Sequence, residues 1–513
     1  MSTTSRHDYN SPDVWVRAIN KIFNNNTPFR IGAFIVPDSL RDSKLEAYFP
    51  QVVGLGPLHH SRLKVQLMHM HIYKLGVVRK IHHKFGQNSF GEFVRELRRV
   101  VPSVRECYPR HLDAHDFHIS YIMAIDGLFL LVLLLHDYGI RNESNDGILQ
   151  NIDTSDILGG LVKNEGTREG ILRDTMMLEN QIPMLVLDYI SRTKLTYAIV
   201  GGSIENLLPQ MLLGYCKALS PLDVLEDYPA SIALKHAHLL EFLYHLIMLT
   251  EPPKPPQEDF DAEQEYGGRP GGPPEEEYDG GVSVNVMMAL PDLLSLAELL
   301  KGLVELPWSK LFNPSDKAPV EKEILIPTAS KLCSVGVQFV RTNHVTATEF
   351  EVEGDPVSFK LPFIKLNANT EVIIRNLVAY EQISKLESES LVLTRFFEMM
   401  NGIIETEEDV KVLKYHGILR IESMKDDEVV KIFSGMSKSV RLANPPNIDK
   451  AIEEANKYYN GQLDVMIRKF IKKCLSPSRN IIRKFWAAFV LIILAYEVYC
   501  SVYGCASKCK KSN

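Results

Sequence analysis

Residues 168–193 read REGILRDTMMLENQIPMLVLDYISRT. Ile171, Met176, Leu178, Ile182 and Leu185 fall near helical spacing, and Pro183 predicts a break or kink because it lacks an N–H and crowds the preceding turn. Glu179, Asn180 and Gln181 stand between Leu178 and Ile182, inside an apolar run. Polar groups among apolar neighbours are costly unless hydrogen-bonded, so this stretch predicts buried helices tied together by a polar network. A second stretch, NLVAYEQ at 376–382, sets Asn376, Glu381 and Gln382 beside Leu377 and Tyr380 in the same manner. The alternative for both motifs is a binding pocket built from these side chains.

Working outward, more helices are expected on both sides. HISYIMAIDGLFLLVLLLHDYGI (118–140) has an uninterrupted apolar centre of only eight residues, Leu128 to Leu135, which predicts a buried core helix rather than a span of roughly twenty residues. ASIALKHAHLLEFLYHLIML (230–249) reads as a further helix. Beyond it, residues 251–280 carry seven prolines, five glycines, ten acidic and two basic residues. Such a stretch has little apolar surface to offset the entropy of ordering and predicts a disordered linker, or an acidic docking segment for a basic partner.

After the linker, LPDLLSLAELLKGLVEL (290–306) is helical by period. GVQFV, TEFEVEG and VSFKLPFI predict a small β element near 335–364, turning at Gly354 and Asp355. NTEVIIRNLVAYEQISKLE then starts a helix with an Asn/Thr cap and places Ile373, Leu377 and Tyr380 on one face. DVKVLKYHGIL and DDEVVKIFSGMSKSV extend the helical series.

The expected fold is therefore mainly α, a multi-helix globular domain in two lobes with a small β element near 335–364 and one C-terminal transmembrane helix. Its parts are a flexible N-terminus (1–29), a helical first lobe (30–250), the acidic Pro/Gly-rich linker (251–281), a second lobe (282–467), a basic juxtamembrane segment (468–484), the span (485–503) and a short tail (504–513).

The span rests on FWAAFVLIILAYEVYCSVY, whose only charge is Glu497. At 1.5 Å per residue it reaches about 28 Å, near the hydrocarbon thickness of a bilayer. Trp486 stands near one end and Tyr503 at the other, as interfacial belts require. Lys and Arg at 468, 469, 472, 473, 479, 483 and 484 precede it, against only Lys508, Lys510 and Lys511 after it, which predicts that the main domain faces the cytosol. No apolar signal-peptide region opens the chain.

The net charge is −7, of which the stretch 251–280 accounts for −8, so the rest is nearly neutral and no nucleic-acid partner is expected. Seven scattered cysteines form no CxxC pair, which excludes the usual zinc-ribbon and thioredoxin patterns. Phosphate-loop, HExxH and GxSxG patterns are absent. GLGPLHH at 54–60 offers Gly56, Pro57, His59 and His60 without a third glycine. His69, His71, His82 and His83 follow, and His111 and His115 have i, i+4 spacing, but no recognisable ligand set completes them. No catalytic residue, cofactor or metal is expected.

These segments resemble the plant proteins of domain of unknown function 247 (UPF0481-type proteins). The resemblance runs from IVPDSLRDSKLEAYFPQVVGLGPLHH through DTMMLENQIPMLVLDYI, and resumes at IPTASKLCSVGVQF, LPFIKLNANTEVIIRNLVAYEQ and DEVVKIFSGMSKSV, over roughly residues 30–440. KVQLMHMHIYKLG departs from the family's first helix by lacking its Glu–Lys pairing. The resemblance implies no established enzymatic activity or cofactor and, in most members, a C-terminal transmembrane helix. Some grass members are associated with self-incompatibility. The function expected is that of a membrane-anchored protein that recognises an unidentified protein partner. The alternatives are an enzyme of unrecognised type, with an inter-lobe pocket lined by His59, His60, Glu179 or Glu381, and a soluble stress-responsive protein with a buried tail helix.

Overall fold

Helix after helix, joined by short turns, makes up most of the computed structural model, which describes residues 35–60, 65–85, 90–108, 114–141, 154–193, 196, 204–224, 228–248, 325–385, 389–434, 445–475 and 494. Helices of eight residues or more are α1 Val65–Phe85, α2 Phe90–Leu97, α3 Asp116–Arg141, α4 Glu165–Asp174, α5 Met184–Ser191, α6 Leu208–Leu219 and α7 Leu239–Met248. After the linker come α8 Thr370–Ser384, α9 Val392–Ile403, α10 Glu407–Tyr415, α11 Asp426–Ser434 and α12 Pro446–Leu475. The strands are β1 Gln338–Thr342, β2 Glu349–Glu351, β3 Ser358–Pro362, β4 Ile364–Leu366 and β5 Leu419–Ile421. The protein is mainly α with small sheets.

The expected N-terminus (1–29), the acidic linker (251–281), the helix at 290–306 and, apart from Leu494, the span at 485–503 with Trp486, Glu497 and Tyr503 lie outside the described residues, as does His111.

α3 is the central helix. It is 26 residues long and apolar enough by length and composition to cross a membrane, yet 89% of its most apolar window is buried within the fold. It is the core helix that its sequence predicts, and α1, α2, α5 and α6 pack around it. Gly127 lets α5 approach closely, since a Cβ there would stand 2.5 Å from Ile190 Cδ1 and 3.3 Å from Val186 Cγ1.

The β element forms where expected, as a sheet in the order β1-β3-β2, with β1 parallel and β2 antiparallel to β3. Phe339 and Phe350 flank Phe359 on its two neighbouring strands, at ring-centroid distances of 6.0 and 5.3 Å. A second sheet pairs β4 with β5 in parallel, Ile364 opposite Leu419. The continuation of α10 into 409–419 is corrected here. Gly417 adopts φ +71°, Ile418 N donates to Leu413 O and Gly417 N to Lys414 O, a Schellman closure that ends the helix and releases β5.

Two other helical expectations are also corrected. Residues 175–183 form turns, and α5 starts only after Pro183. The stretch 230–249 breaks at His236–His238, because the His238 Nδ1 accepts from Glu241 N at 3.1 Å and starts α7 there.

The expectation of two lobes gives way to one compact unit containing the described residues on both sides of 253–323. A single core of buried side chains includes Phe129, Leu187, Tyr215 and Phe242 from one half and Phe359, Leu377, Phe396 and Phe433 from the other. Polar links cross the division as well. Lys44 Nζ meets both Glu371 oxygens at 2.7 Å, Asn369 Nδ2 donates to Glu169 at 2.6 Å, and Lys365 N donates to Pro221 O at 2.8 Å.

Candidate functional site

The 175–183 turn is held by its own side chains. The last carbonyls of α4 need partners, because a helix leaves four without intrahelical donors. Thr175 Oγ1 donates to Leu172 O at 2.7 Å, Asn180 Nδ2 to Asp174 O at 2.8 Å, and Gln181 Nε2 to Thr175 O and Met177 O at 2.8 and 2.7 Å. These side chains offer the backbone an alternative to helix, which is why apolar spacing alone misreads the stretch.

The same residues reach the 51–56 loop. Asn180 clamps it with Oδ1 accepting from Leu55 N at 2.6 Å and Nδ2 donating to Val53 O at 2.9 Å. Asp174, wholly buried, accepts with Oδ2 from the N–H groups of Gln51, Val52 and Val53 at 2.9, 2.6 and 3.0 Å. Its Oδ1 takes Arg173 Nε and Nη2 at 3.0 and 2.8 Å. Burial raises its pKa above the ordinary carboxylate value, opposed by the Arg173 charge and the backbone donors.

Gly56 completes the junction. Its φ is +70°, and a Cβ would sit 3.0 Å from Gln181 O and 3.1 Å from the Tyr108 hydroxyl, so only glycine fits. Gly56 N donates to Asp126 Oδ2 at 2.9 Å. Lys74 bridges Asp126 Oδ1 and Gly54 O, the latter at 2.7 Å, and the Lys74 and Asp126 side chains are each only 4% exposed. Asp126 and Lys74 escaped the sequence reading, although an acid within the apolar run MAIDGLFLL is a signal that some partner must be buried beside it. Tyr108 donates to Gln181 O at 3.0 Å from the same side.

Glu179 faces the other way, accepting from Val36 N at 2.9 Å and from Arg41. The second motif arrives through α8. Asn376 accepts from Leu178 N at 2.9 Å and donates to Ala47 O and Val372 O at 2.8 Å each, so LENQIP and NLVAYEQ share a hydrogen bond. Glu381 serves elsewhere. Its two oxygens accept from Leu393 N at 3.0 Å and Thr394 N at 2.7 Å, capping α9, and from the Tyr244 hydroxyl at 2.9 Å. Tyr380 packs on Tyr244 with ring centroids 5.2 Å apart. Pro183 precedes α5, whose first N–H, from Met184, donates to Ala237 O at 2.7 Å.

The histidines divide. His59 is buried with its ring edge-on to Phe49 at 5.2 Å. His60 meets His71 of α1 and His118 of α3, both at 5.3 Å between centroids. His59, His60, Glu179 and Glu381 thus engage different elements. Burial is the largest influence holding His60 and His71 below the ordinary value of about 6.5; Lys74 lowers both further and Asp126 opposes it, while His71 and His118 also lower His60. The unfolded chain therefore binds more protons below that value, and stability should fall as pH drops from 7.5 through 6.5 toward the folded values. Thermal midpoints at pH 7.5 and 5.5 should differ less in His60→Gln/His71→Gln than in the wild type; an unchanged difference would exclude these two groups as its source.

Taken together, LENQIP, the 51–56 loop and the start of NLVAYEQ form a buried hub whose polar atoms mainly grip backbone from distant segments. Such a hub fixes the relative positions of loops and helices.

Comparison with known proteins then places the chain. The family model described as a plant protein of unknown function, DUF247, matches residues 33–494. A putative UPF0481 protein of Arabidopsis thaliana is 31% identical over 514 residues, spanning 92% of this chain and 90% of that protein. No solved structure matches.

Proposed function

The chain belongs to the DUF247 family of plant proteins, and from that premise we propose that it is a membrane-tethered recognition component, acting by binding another protein rather than by catalysis. The observation that carries this reading is the use of the motif side chains. Asn180, Gln181, Asn376 and Glu381 spend polar atoms on backbone groups and on the Tyr244 and Thr394 hydroxyls inside the fold, an arrangement that holds loops and helices in place. The tether is supported by the sequence 485–503, with its aromatic ends and the basic residues upstream. A recognition role also agrees with the association of some grass relatives with self-incompatibility.

Deleting 485–513 tests the tether. The full chain should stay in the membrane pellet after alkaline carbonate extraction, and the truncated chain should move to the soluble fraction. Truncated protein retained in the pellet would overturn the tether. With the domain on the cytosolic side, the sequons Asn25-Asn26-Thr27 and Asn142-Glu143-Ser144 should remain unglycosylated, read by mobility after glycosidase treatment.

A further inference from the structure

We propose that His236, Glu241 and His245 form a binding site for a divalent transition-metal ion, of which zinc fits the donor set best. One ligand atom from each lies within 4.8 Å of the other two. Two imidazoles and one carboxylate are the donors that zinc accepts in sites with an open coordination position, and all three side chains are half-buried rather than freely solvated.

The local fold explains why they meet. Glu241 and His245 are one turn apart on α7 and share a face. His236 is brought above that face by the break before the helix, where His238 accepts from Glu241 N. The rings of His236 and His245 stack with centroids 4.9 Å apart and planes 27° from parallel. Ligands about 2.1 Å from zinc in a tetrahedron lie roughly 3.4 Å from one another, so the donor atoms, all within 4.8 Å, would draw together by at most about 1.4 Å to close the site.

Glu241 is also oriented from outside the cluster. Its carboxylate accepts from Ala237 N and is hydrogen-bonded to the Tyr380 hydroxyl of α8. A carboxylate offers about four lone-pair positions, so two such bonds leave it able to bind a metal. Tyr380 thereby becomes a positioning residue, the outer partner that ligating carboxylates commonly have. Lys385, whose charge reaches His245 and whose Nζ donates to Ser390 O at 3.1 Å, adds one positive neighbour. That charge opposes a cation at the site and weakens its binding.

The test uses the untagged full chain with Co²⁺ as an absorbing probe and Zn²⁺ as competitor. One equivalent of Co²⁺ should give a visible d–d band that one equivalent of Zn²⁺ abolishes. His236→Asn, which lies before α7, should weaken binding at least tenfold. Glu241→Gln, which keeps an oxygen for Ala237 N, should weaken it similarly, and Tyr380→Phe by a smaller factor with an altered band. His71→Ala, in the other histidine cluster, should leave binding unchanged. The proposal is overturned if the wild type takes up no equivalent at roughly 100 µM Co²⁺ or Zn²⁺, where a site of micromolar affinity is nearly full, if His236→Asn binds as the wild type does, or if His71→Ala abolishes the band.

Discussion

Replacing Asp174 with alanine is expected to lower the unfolding free energy by about 3–5 kcal/mol, the cost of breaking a buried ionic and hydrogen-bonded group from one side. The side chain is fully buried, and one oxygen serves three consecutive N–H groups at 51–53 while the other neutralises Arg173. Alanine strands the buried Val53 donor, and it leaves the Arg173 guanidinium without its anion. Against a total stability of about 5–15 kcal/mol, such a loss is large. Asp174→Asn keeps one carbonyl acceptor and should fall between alanine and wild type. Urea unfolding of the full chain in matched detergent, followed by circular dichroism, measures both. A loss below about 1 kcal/mol for alanine would mean that the loop relaxes to find other acceptors.

Lys74→Met should cost a comparable amount, about 3–5 kcal/mol, because it leaves Asp126 charged inside the core. The informative comparison is with Lys74→Met/Asp126→Leu. Removing both charges eliminates the unpaired carboxylate, so the double variant should be more stable than Lys74→Met alone by at least about 1 kcal/mol. It should not regain wild-type stability, since Gly56 N loses its acceptor and Gly54 O its donor. A double variant whose loss equals the sum of the Lys74→Met and Asp126→Leu losses would refute the coupling and reduce the pair to two independent contacts.

Much of the helical content was legible. The apolar run 118–140 and the helical face of Ile373, Leu377 and Tyr380 predicted α3 and α8, and the alternating stretch around 335–364 predicted a sheet in the right place. The polar residues of LENQIP were legible as hydrogen-bonding groups, because no alternative is affordable in an apolar run. Their partners were not. Nothing in residue spacing tells that Asn180 grips Val53 and Leu55, that Asn376 reaches Leu178, or that Lys74 lies against Asp126.

The misreadings share one cause. Periodicity places apolar side chains but is blind to what the backbone does with local acceptors. Between Thr175 and Pro183 the Asn180 and Gln181 amides take the carbonyls that a continuing helix would have used. At Gly417 a left-handed residue reverses the chain into β5, and at His238 an imidazole starts α7 later than the apolar pattern suggests. Each depends on side-chain geometry at a single residue.

By itself the sequence determined the helical class, the site of the small sheet and the family, since these follow from apolar period, β-branched clusters and ordered motifs. Only the tertiary structure decided that the two halves make one core, and that His236 stands over Glu241 and His245. Those facts rest on contacts between residues far apart in sequence or on either side of the helix break at His236–His238. Such contacts leave no periodic trace, because their energies depend on where the folded backbone brings each group, not on its neighbours along the chain.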